Sequence, residues 1–392
     1  MTSKVTNMNP KILVWARERA GWETEEVANK IGRSPETILA WESGESAPTY
    51  IQLEKLAYKV YKRPIAIFFF QEPPDEPAPS QSFRTLPEFE LEEMGPDTLY
   101  ATRQAQAMQI SLSELNDGVN PSQSPIFVEL EATTNSDLTR LAAEVREYLE
   151  ISLVDQKKFR NIDIALKTWR DAIQECGVFV FKRSIKQKSV SGFCFWDKNF
   201  PIIYVNNSTA KSRQIFTLLH ELAHILLQTS GVTKSDDSYI KSLEGEARAI
   251  EVFCNKFAAE FLVPASDFES CLQNATFDEE FFQNIASQYK VSRQVILRKV
   301  LDRRLVSEDF YEQMSTRWKE EYREWEEQRR GTGGGDYYAT QASYLGQKYL
   351  DLVFTKYHQG KLSVGQLAEF LNVKVSKVAR LEDFALRDTA NA

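Results

Sequence analysis

The sequence predicts a mainly α-helical protein with a small β-sheet. Its 392 residues exceed what one average domain requires, so we expect two or three domains. Helical periodicity dominates the chain, as in DLTRLAAEVREYLE at 137–150 and IALKTWRDAIQE at 164–175. Three short runs rich in Val, Ile and aromatic residues interrupt this pattern and predict strands, namely GVFVFKR, SGFCFW and PIIYVN.

Composition narrows the class of protein. The chain is 42% hydrophobic and 27% charged, as globular domains are. No apolar run approaches the roughly 20 residues of a membrane span, and the N-terminus lacks the apolar core of a secretory signal. Four cysteines without a CxxC pair predict reduced, mostly buried thiols. We therefore expect a cytoplasmic protein without a membrane partner. A net charge of −8 means that any binding to nucleic acid must be local.

Composition also divides the chain into five segments. A compact helical segment covers 1–70, and an acidic, proline-rich linker covers 71–99 with eight acidic residues and one basic residue. A larger domain with the three strands covers 100–310. A linker rich in charges and glycine follows at 311–336, and a helical C-terminal region ends the chain at 337–392.

Two of the three histidines lie four positions apart in the apolar stretch FTLLHELAHILLQ at 216–228. His220, Glu221 and His224 form an HExxH motif, which on a helix places both imidazoles on one face. This spacing suits two ligands of a tetrahedral Zn²⁺, and Glu221 can accept a proton from water that the metal acidifies. The plainer alternative is two ordinary core histidines, each of which would need its own polar partner.

The third metal ligand must come from outside the motif. Leu227 and Ser230 replace the residues that HExxHxxGxxH requires, and His358 lies beyond the second linker. Glu251 falls on the core-facing stripe of the next helix, where a carboxylate is costly unless it is paired or binds a metal. The alternative is a buried acid paired with an arginine. The other residues of the stripe are Ala247, Cys254, Ala258 and Phe261, and the acids off it, which we expect to be solvated, are Glu244, Glu246 and Glu260.

The stretch FTLLHELAHILL followed by IEVFCNKFAAEFLVP resembles the ImmA/IrrE family of zinc peptidases, which cleave phage or stress-response repressors. The second stretch follows the family pattern E-x-x-[AC]-[ND]-x-F-A-A-x-x-L-x-P, and the resemblance covers roughly residues 140 to 270. It implies a zincin-like metallopeptidase core in which His220, His224 and Glu251 bind zinc and Glu221 is the general base.

The resemblance also implies a strand beside the active-site helix. GFCFWDKNFPIIYVN at 192–206 would supply it, and an exposed edge there could bind an extended substrate. An oxyanion donor is a further requirement of peptide hydrolysis. Tyr204 and Tyr239 are candidates for this donor, and the sequence favours neither.

The N-terminal segment has the spacing of a helix-turn-helix. We expect Thr24 to cap one helix, Gly32 to form the turn, and Ser34 to cap a second helix that starts at Pro35. The predicted shared core is Val27, Ala28, Ile31, Ile38 and Trp41. Residues 9–70 resemble the XRE-type DNA-binding module of phage repressors, including the turn WESGESAPT.

The second of these helices would read DNA, although its composition is unusual. The candidate DNA contacts are Arg33, Ser34, Glu36 and Thr37, and Lys62 and Arg63 could add phosphate contacts. However, residues 34–46 hold three glutamates and no Lys or Arg. We therefore expect weak binding to DNA as a symmetric dimer, and the alternative is a module for protein docking or dimerisation.

The C-terminal stretch LSVGQLAEFLNVKVSKVARLED resembles a second, shorter helix-turn-helix. Its nearly balanced charge favours another interpretation, a helical hairpin that packs on the catalytic core or pairs two subunits.

Taken together, these features predict a cytoplasmic regulator that joins DNA binding to a Zn²⁺-dependent endopeptidase. Its substrate would be a partner repressor or the chain itself, in stress response, control of phages and mobile elements, or toxin–antitoxin regulation. Three alternatives stay open. They are a transcription factor whose peptidase-like domain only senses a ligand, an antitoxin-like binding protein, and a peptidase whose N-terminal domain only recruits the substrate.

Overall fold

The chain is mainly helical with one small sheet, which confirms the predicted fold class. The computed structural model describes residues 4–76, 93–234, 237–273, 275–329 and 336–390. Most of the predicted acidic linker, 77–92, lies outside the described residues. The chain divides into two compact units, 1–106 and 107–392. None of the described helices combines the length and apolarity that crossing a bilayer requires.

The first unit consists of short helices around one apolar core. They are α1 (Pro10–Arg19), α2 (Thr24–Ile31), α3 (Pro35–Glu42), α4 (Tyr50–Lys55), a π-helical segment (Leu56–Tyr61) and a 3-10 helix (Ile65–Phe69). The predicted shared core is present, with Ile31 only partly buried. Its buried members are Val27, Ala28, Ile38 and Trp41.

The caps of this unit differ in detail from the prediction. Thr24 is the first residue of α2 rather than its cap, because Glu23 and Glu26 satisfy the first N–H groups through a capping box. Gly32 ends the helix with φ at 70°, as expected of a left-handed turn residue. Ser34 is the N-cap residue of α3, but its hydroxyl lies 3.2 Å from the Thr37 hydroxyl and makes no cap hydrogen bond.

The boundary between the units, at residues 106 and 107, falls within the helix Pro96–Leu115 (α5). The second unit holds the sheet and the remaining helices. The elements before the sheet are α6 (Ile126–Glu129), α7 (Leu138–Tyr148), α8 (Leu153–Lys158) and α9 (Ile162–Glu175). The central elements are β1 (Phe179–Arg183), β2 (Val190–Phe195), β3 (Ile202–Asn206), α10 (Lys211–Leu226), β4 (Gly231–Lys234), a 3-10 helix (Asp237–Ser242) and α11 (Gly245–Leu262). The later helices are α12 (Ala265–Leu272), α13 (Glu279–Tyr289), α14 (Arg293–Asp302), α15 (Glu308–Arg329), α16 (Tyr337–Leu345), α17 (Gln347–His358), α18 (Val364–Phe370) and α19 (Val378–Ala390).

The four strands lie in the order β1-β3-β2-β4, with β1 parallel to β3 and the other pairs antiparallel. The three predicted strands are present, and β4 is an addition. β2 and β3 are paired on both sides, so the exposed edge expected of residues 192–206 does not exist. Among the described residues the edge strand on the β2 side is β4, because it follows β2 in the sheet.

The two faces of the sheet are covered by different helices. Cys194, Ile203 and Val205 belong to the main apolar core, which includes α10. Strand residues alternate between faces, so Tyr204 points away from α10, and its ring stacks on Phe193 with centroids 5.1 Å apart. This second face is therefore aromatic.

The C-terminal region covers that aromatic face. The ring of Tyr349 in α17 meets Phe181 of β1 edge-on at 5.2 Å. The buried guanidinium of Arg170 in α9 donates to the carbonyl of Val180 and to the carbonyl of Ser343 in α16, the latter at 2.7 Å. The helical hairpin that packs on the catalytic core is therefore the better of the two sequence interpretations.

The predicted linker 311–336 is helical over most of its length, since α15 continues to Arg329. Trp318 is buried on this helix, with its ring 5.5 Å from that of Phe282 and its indole N–H donating to Glu279. The charged side chains of this helix lie on its solvent side, and one apolar stripe packs against the core. The prediction of a linker was therefore wrong for most of this segment, because the many charged residues made the apolar stripe difficult to recognise. Residues 330–335 lie outside the described part, and the domain boundaries stay predictions.

Candidate metal centre

Helix α10 carries the HExxH motif through the middle of the second unit. Its residues 214–226 are all buried, because the sheet covers one side and α9 and α11 cover the other. His220 and His224 are 0% and 1% exposed, and their Nε2 atoms lie 3.2 Å apart. An apolar sequence around two histidines is thus the consequence of a helix buried on all sides.

Glu251 of α11 faces the two histidines, as the position of the stripe predicted. Its carboxylate oxygens lie 3.3 Å from His220 Nε2 and 3.2 Å from His224 Nε2. The Tyr239 hydroxyl donates to the same carboxylate at 2.6 Å. In the described part of the chain this carboxylate contacts two imidazoles and a phenol, rather than the arginine of the alternative interpretation.

The second nitrogen of each imidazole has a partner of its own. His220 Nδ1 lies 3.0 Å from Asn255 Oδ1, and His224 Nδ1 lies 3.1 Å from the Thr229 hydroxyl. These contacts fix the ring orientations, as partners of metal-binding histidines do. Both Nε2 atoms consequently point at one position next to Glu251, a convergence that ordinary core histidines do not need.

Glu221 is fully buried beside this position. One of its oxygens accepts a hydrogen bond from the Thr233 hydroxyl of β4, whereas Oε2 has no hydrogen-bond partner. Burial raises the pKa of Glu221, although His224 and His220 act in the opposite direction. A buried oxygen without a partner is costly, so this atom is suited to hold a proton or a water molecule.

The charges of the cluster favour a bound cation. Burial alone would raise the pKa of Glu251, but His224 and His220 outweigh it and the pKa is lowered. Burial alone would lower the pKa of His224, but Cys254 and Glu251 outweigh it and the pKa is raised. The carboxylate thus stays ionised beside the His224 imidazole, and a divalent cation can take the place of the imidazole proton. Two imidazoles and a carboxylate fit Zn²⁺, and the unpaired Glu221 oxygen beside them can accept a proton from water that the metal acidifies.

Strand β4 contributes features that the sequence did not reveal. Gly231 lies so close to His224 that a Cβ at Gly231 would be 2.6 Å from two ring atoms. Thr233 holds Glu221, as described above. Glycine and threonine are not residue types that indicate a metal site. In addition, β4 has a single large apolar residue, Val232, so the sequence does not predict this strand. The roles of Gly231 and Thr233 are therefore evident only from the pairing of β4 with β2.

The two candidate oxyanion donors lie in different places in the structure. Tyr239 reaches the cluster through Glu251, whereas Tyr204 lies on the opposite face of the sheet. Of the acids expected to be solvated, Glu244 and Glu246 are exposed. Glu260 was predicted wrongly, because it pairs with the mostly buried Lys299 at 3.1 Å.

The candidate DNA contacts lie together at the start of α3. Arg33, Ser34 and Glu36 are exposed and Thr37 is partly buried. A hydrogen bond from Ser34 lowers the pKa of Glu36, so its negative charge persists at this surface. The acid at the end of the helix, Glu42, instead pairs with Arg17 of α1 at 2.8 Å.

Arg63 does not serve the predicted phosphate contact. Its guanidinium pairs with Glu76 at 2.5 Å and lies 4.2 Å from the ring centre of Trp15. Both interactions hold the side chain within the first unit.

An HExxH helix beside a small mixed sheet, with a carboxylate from the next helix, defines a metallopeptidase-like domain of the zincin type. The short helices of the first unit define a helix-turn-helix domain. In comparisons with protein families, residues 173–301 match a peptidase family, the IrrE N-terminal-like domain, and residues 13–57 match a helix-turn-helix family. The chain therefore joins these two domains, which confirms the predicted fusion. No curated protein matches the chain significantly.

Proposed function

We propose that the chain is a regulator that binds DNA through its first unit and cuts a protein partner with a zinc-dependent peptidase domain. The observation that carries the proposal is the buried set of His220, His224 and Glu251, with an unpaired oxygen of Glu221 beside it. A cytoplasmic repressor is the substrate class that suits a DNA-binding regulator. The setting would be stress response, control of mobile elements or toxin–antitoxin regulation.

The residues divide the chemical work. His220, His224 and Glu251 would hold Zn²⁺, and Asn255 and Thr229 keep the imidazoles oriented. Zinc supplies a Lewis acid that acidifies water and polarises a peptide carbonyl. Glu221 accepts the proton through Oε2 and delivers it to the leaving amine.

Strand β4 is where we place the substrate. An extended segment could add to this edge by main-chain hydrogen bonds. Since Gly231 touches the His224 ring and Thr233 holds Glu221, a peptide along this edge would lie next to the reacting groups. Tyr239 could then stabilise the oxyanion, because its hydroxyl already lies at the cluster.

The first unit would bind a two-fold DNA site as a homodimer through the start of α3. Arg33, Ser34, Glu36 and Thr37 are the proposed contacts. Because Glu36 retains its charge at this surface, we expect weak binding. We also expect this binding to fall steeply with salt, because contacts to the DNA phosphates supply it.

The decisive experiment replaces Glu221 with glutamine, which keeps the size of the side chain and removes the base. Loss of a positioned general base costs about 10²–10⁴-fold in rate. The full chain and the variant are each co-expressed with proteins encoded nearby, and fragments are identified by mass spectrometry. Both forms should bind about one zinc per chain, whereas only the wild type should cut. Cleavage at an unchanged rate in the variant would exclude this mechanism.

One observation favours a second function, that of a metal-dependent sensor without proteolysis. The cluster is at most 3% exposed, so a substrate carbonyl reaches it only if covering residues move. A sensor would change its DNA affinity with zinc occupancy and would not require Glu221 as a base. DNA binding that depends equally on zinc in the wild type and in Glu221→Gln, with no fragment from either, would establish this function instead.

A further inference from the structure

The thiol of Cys254 faces the same two imidazoles as Glu251. Cys254 lies one turn further along α11 and is 0% exposed. Its sulfur and one nitrogen each of His220 and His224 lie within 4.8 Å of one another. Because positions i and i+3 share a helix face, Glu251 and Cys254 both lie on the side of α11 that faces the two imidazoles.

A second buried thiol provides a natural comparison. Cys194 of β2 is also 0% exposed, and it approaches the cluster from the sheet. Its sulfur lies 3.8 Å from the Thr229 carbonyl and interacts with Glu221, and it does not belong to the group of convergent donor atoms. Two thiols therefore lie next to the centre, and one of them is positioned as a ligand.

The number of protein ligands distinguishes structural from catalytic zinc sites. Zinc accepts imidazole, carboxylate and thiolate, and its structural sites are closed by four protein ligands. Catalytic sites keep one position open for water or substrate. Glu251 contacts both imidazoles, and the Cys254 sulfur lies within 4.8 Å of one nitrogen of each, so the protein offers four donors around this centre where a peptidase requires three.

We propose that Cys254 is a fourth zinc ligand in the resting protein and occupies the position that the attacking water needs. This inference rests on the proposed zinc centre and adds a regulatory property to it. Binding of the metal displaces the thiol proton to solvent and forms a zinc–sulfur bond. Activity then requires that this bond give way to water, so the resting enzyme is latent. The burial of the cluster suits a latent form, because no substrate has access to it.

The test uses the purified full chain, without any substrate. X-ray absorption at the zinc edge of the wild type should show a sulfur neighbour at about 2.3 Å, distinct from nitrogen and oxygen neighbours at about 2.0–2.2 Å. Replacement of zinc by cobalt should produce a thiolate-to-cobalt charge-transfer band in the near ultraviolet. Cys254→Ala should abolish this band, and Cys194→Ala should retain it. Metal affinity should fall in Cys254→Ala by more than the roughly 10–100-fold that loss of a supporting hydrogen bond costs.

The outcomes separate this inference from the proposed function. A sulfur neighbour in the wild type, with no cleavage by either the wild type or Cys254→Ala, would support the ligand and overturn the peptidase. Cleavage by a centre without a sulfur neighbour would do the reverse. A band that persists in Cys254→Ala, or a wild type that binds no metal, would overturn the inference. Since the wild-type spectrum needs no variant, a misfolded Cys254→Ala leaves the test intact. If both proposals hold, Cys254→Ala cleaves its partner faster than the wild type.

Discussion

Replacement of Gly231 by alanine tests whether the backbone of β4 holds His224 in position. The new Cβ would lie 2.6 Å from two atoms of the His224 ring and 2.8 Å from a third. Carbon atoms in contact prefer about 3.5–4.0 Å, so the strand and the ring must separate by roughly 1 Å. Gly231 has no positive φ, so this clash is the only strain that alanine adds.

The size of the effect follows from that displacement. Overpacking of a well-packed site costs about 1–3 kcal/mol in free energy of unfolding. A metal site tolerates changes in ligand distance of about 0.2 Å, which is much less than the required shift. We therefore expect Gly231→Ala to weaken zinc binding by about 10–100-fold, the range found when the support of a ligand is lost.

The assay combines urea unfolding of the zinc-free protein with competition for zinc against a chelating dye. Gly365→Ala is the matched control, because its Cβ would meet a single atom, Ser363 Oγ, at 3.8 Å. Inside a helix this exchange should be neutral or stabilise the fold by about 0.5–1 kcal/mol. Wild-type zinc affinity in Gly231→Ala would refute the reasoning, since it would mean that His224 can move freely or is not a ligand.

Three further predictions concern other parts of the chain. Arg170→Ala should destabilise the second unit by about 1–3 kcal/mol for each of the Val180 and Ser343 carbonyls that loses its donor; urea unfolding and limited proteolysis of residues 336–390 measure this. Burial lowers the pKa of Lys182 to about 7, so the unfolded chain takes up a proton that the folded chain resists, and stability should fall as pH drops from about 10 to 7 and then level off. Lys182→Met should abolish that slope and gain on the order of 3–5 kcal/mol at pH 7, and an identical pH dependence in both proteins would contradict the shift. Glu36→Gln should tighten DNA binding in a mobility-shift series without changing the fold, and unchanged affinity would place Glu36 outside the interface.

The sequence predicted those parts of the site whose chemistry and spacing are local. His220, Glu221 and His224 lie within one helix, and Glu251 was recognisable because a carboxylate on an apolar stripe needs an explanation. The IIYVN run was equally recognisable as a strand, since several apolar residues in succession indicate burial.

The missed features depend on tertiary contact. Thr233 and Gly231 matter only because β4 pairs with β2 and thereby meets α10. The segment that forms α15 was predicted to be a linker because most of its residues are charged. Its burial depends on Trp318, and the sequence does not show that this side chain packs on Phe282. Likewise, the sequence predicts that Glu260 is a solvated surface residue, because it does not show that Lys299 from another helix pairs with it.

The aromatic face of the sheet limits where the peptidase-like domain can be cut from the chain and fused to another protein. The segment that matches the peptidase family, 173–301, includes that face but not the helices of 336–390 that cover it. If the segment were expressed alone, Phe181 and the neighbouring aromatic residues would form one solvent-exposed hydrophobic patch, which promotes aggregation. The portable unit for recombination or engineering is therefore longer than the shared family segment. A gene fusion that ended at residue 301 would carry the metal ligands into a new host and would aggregate there.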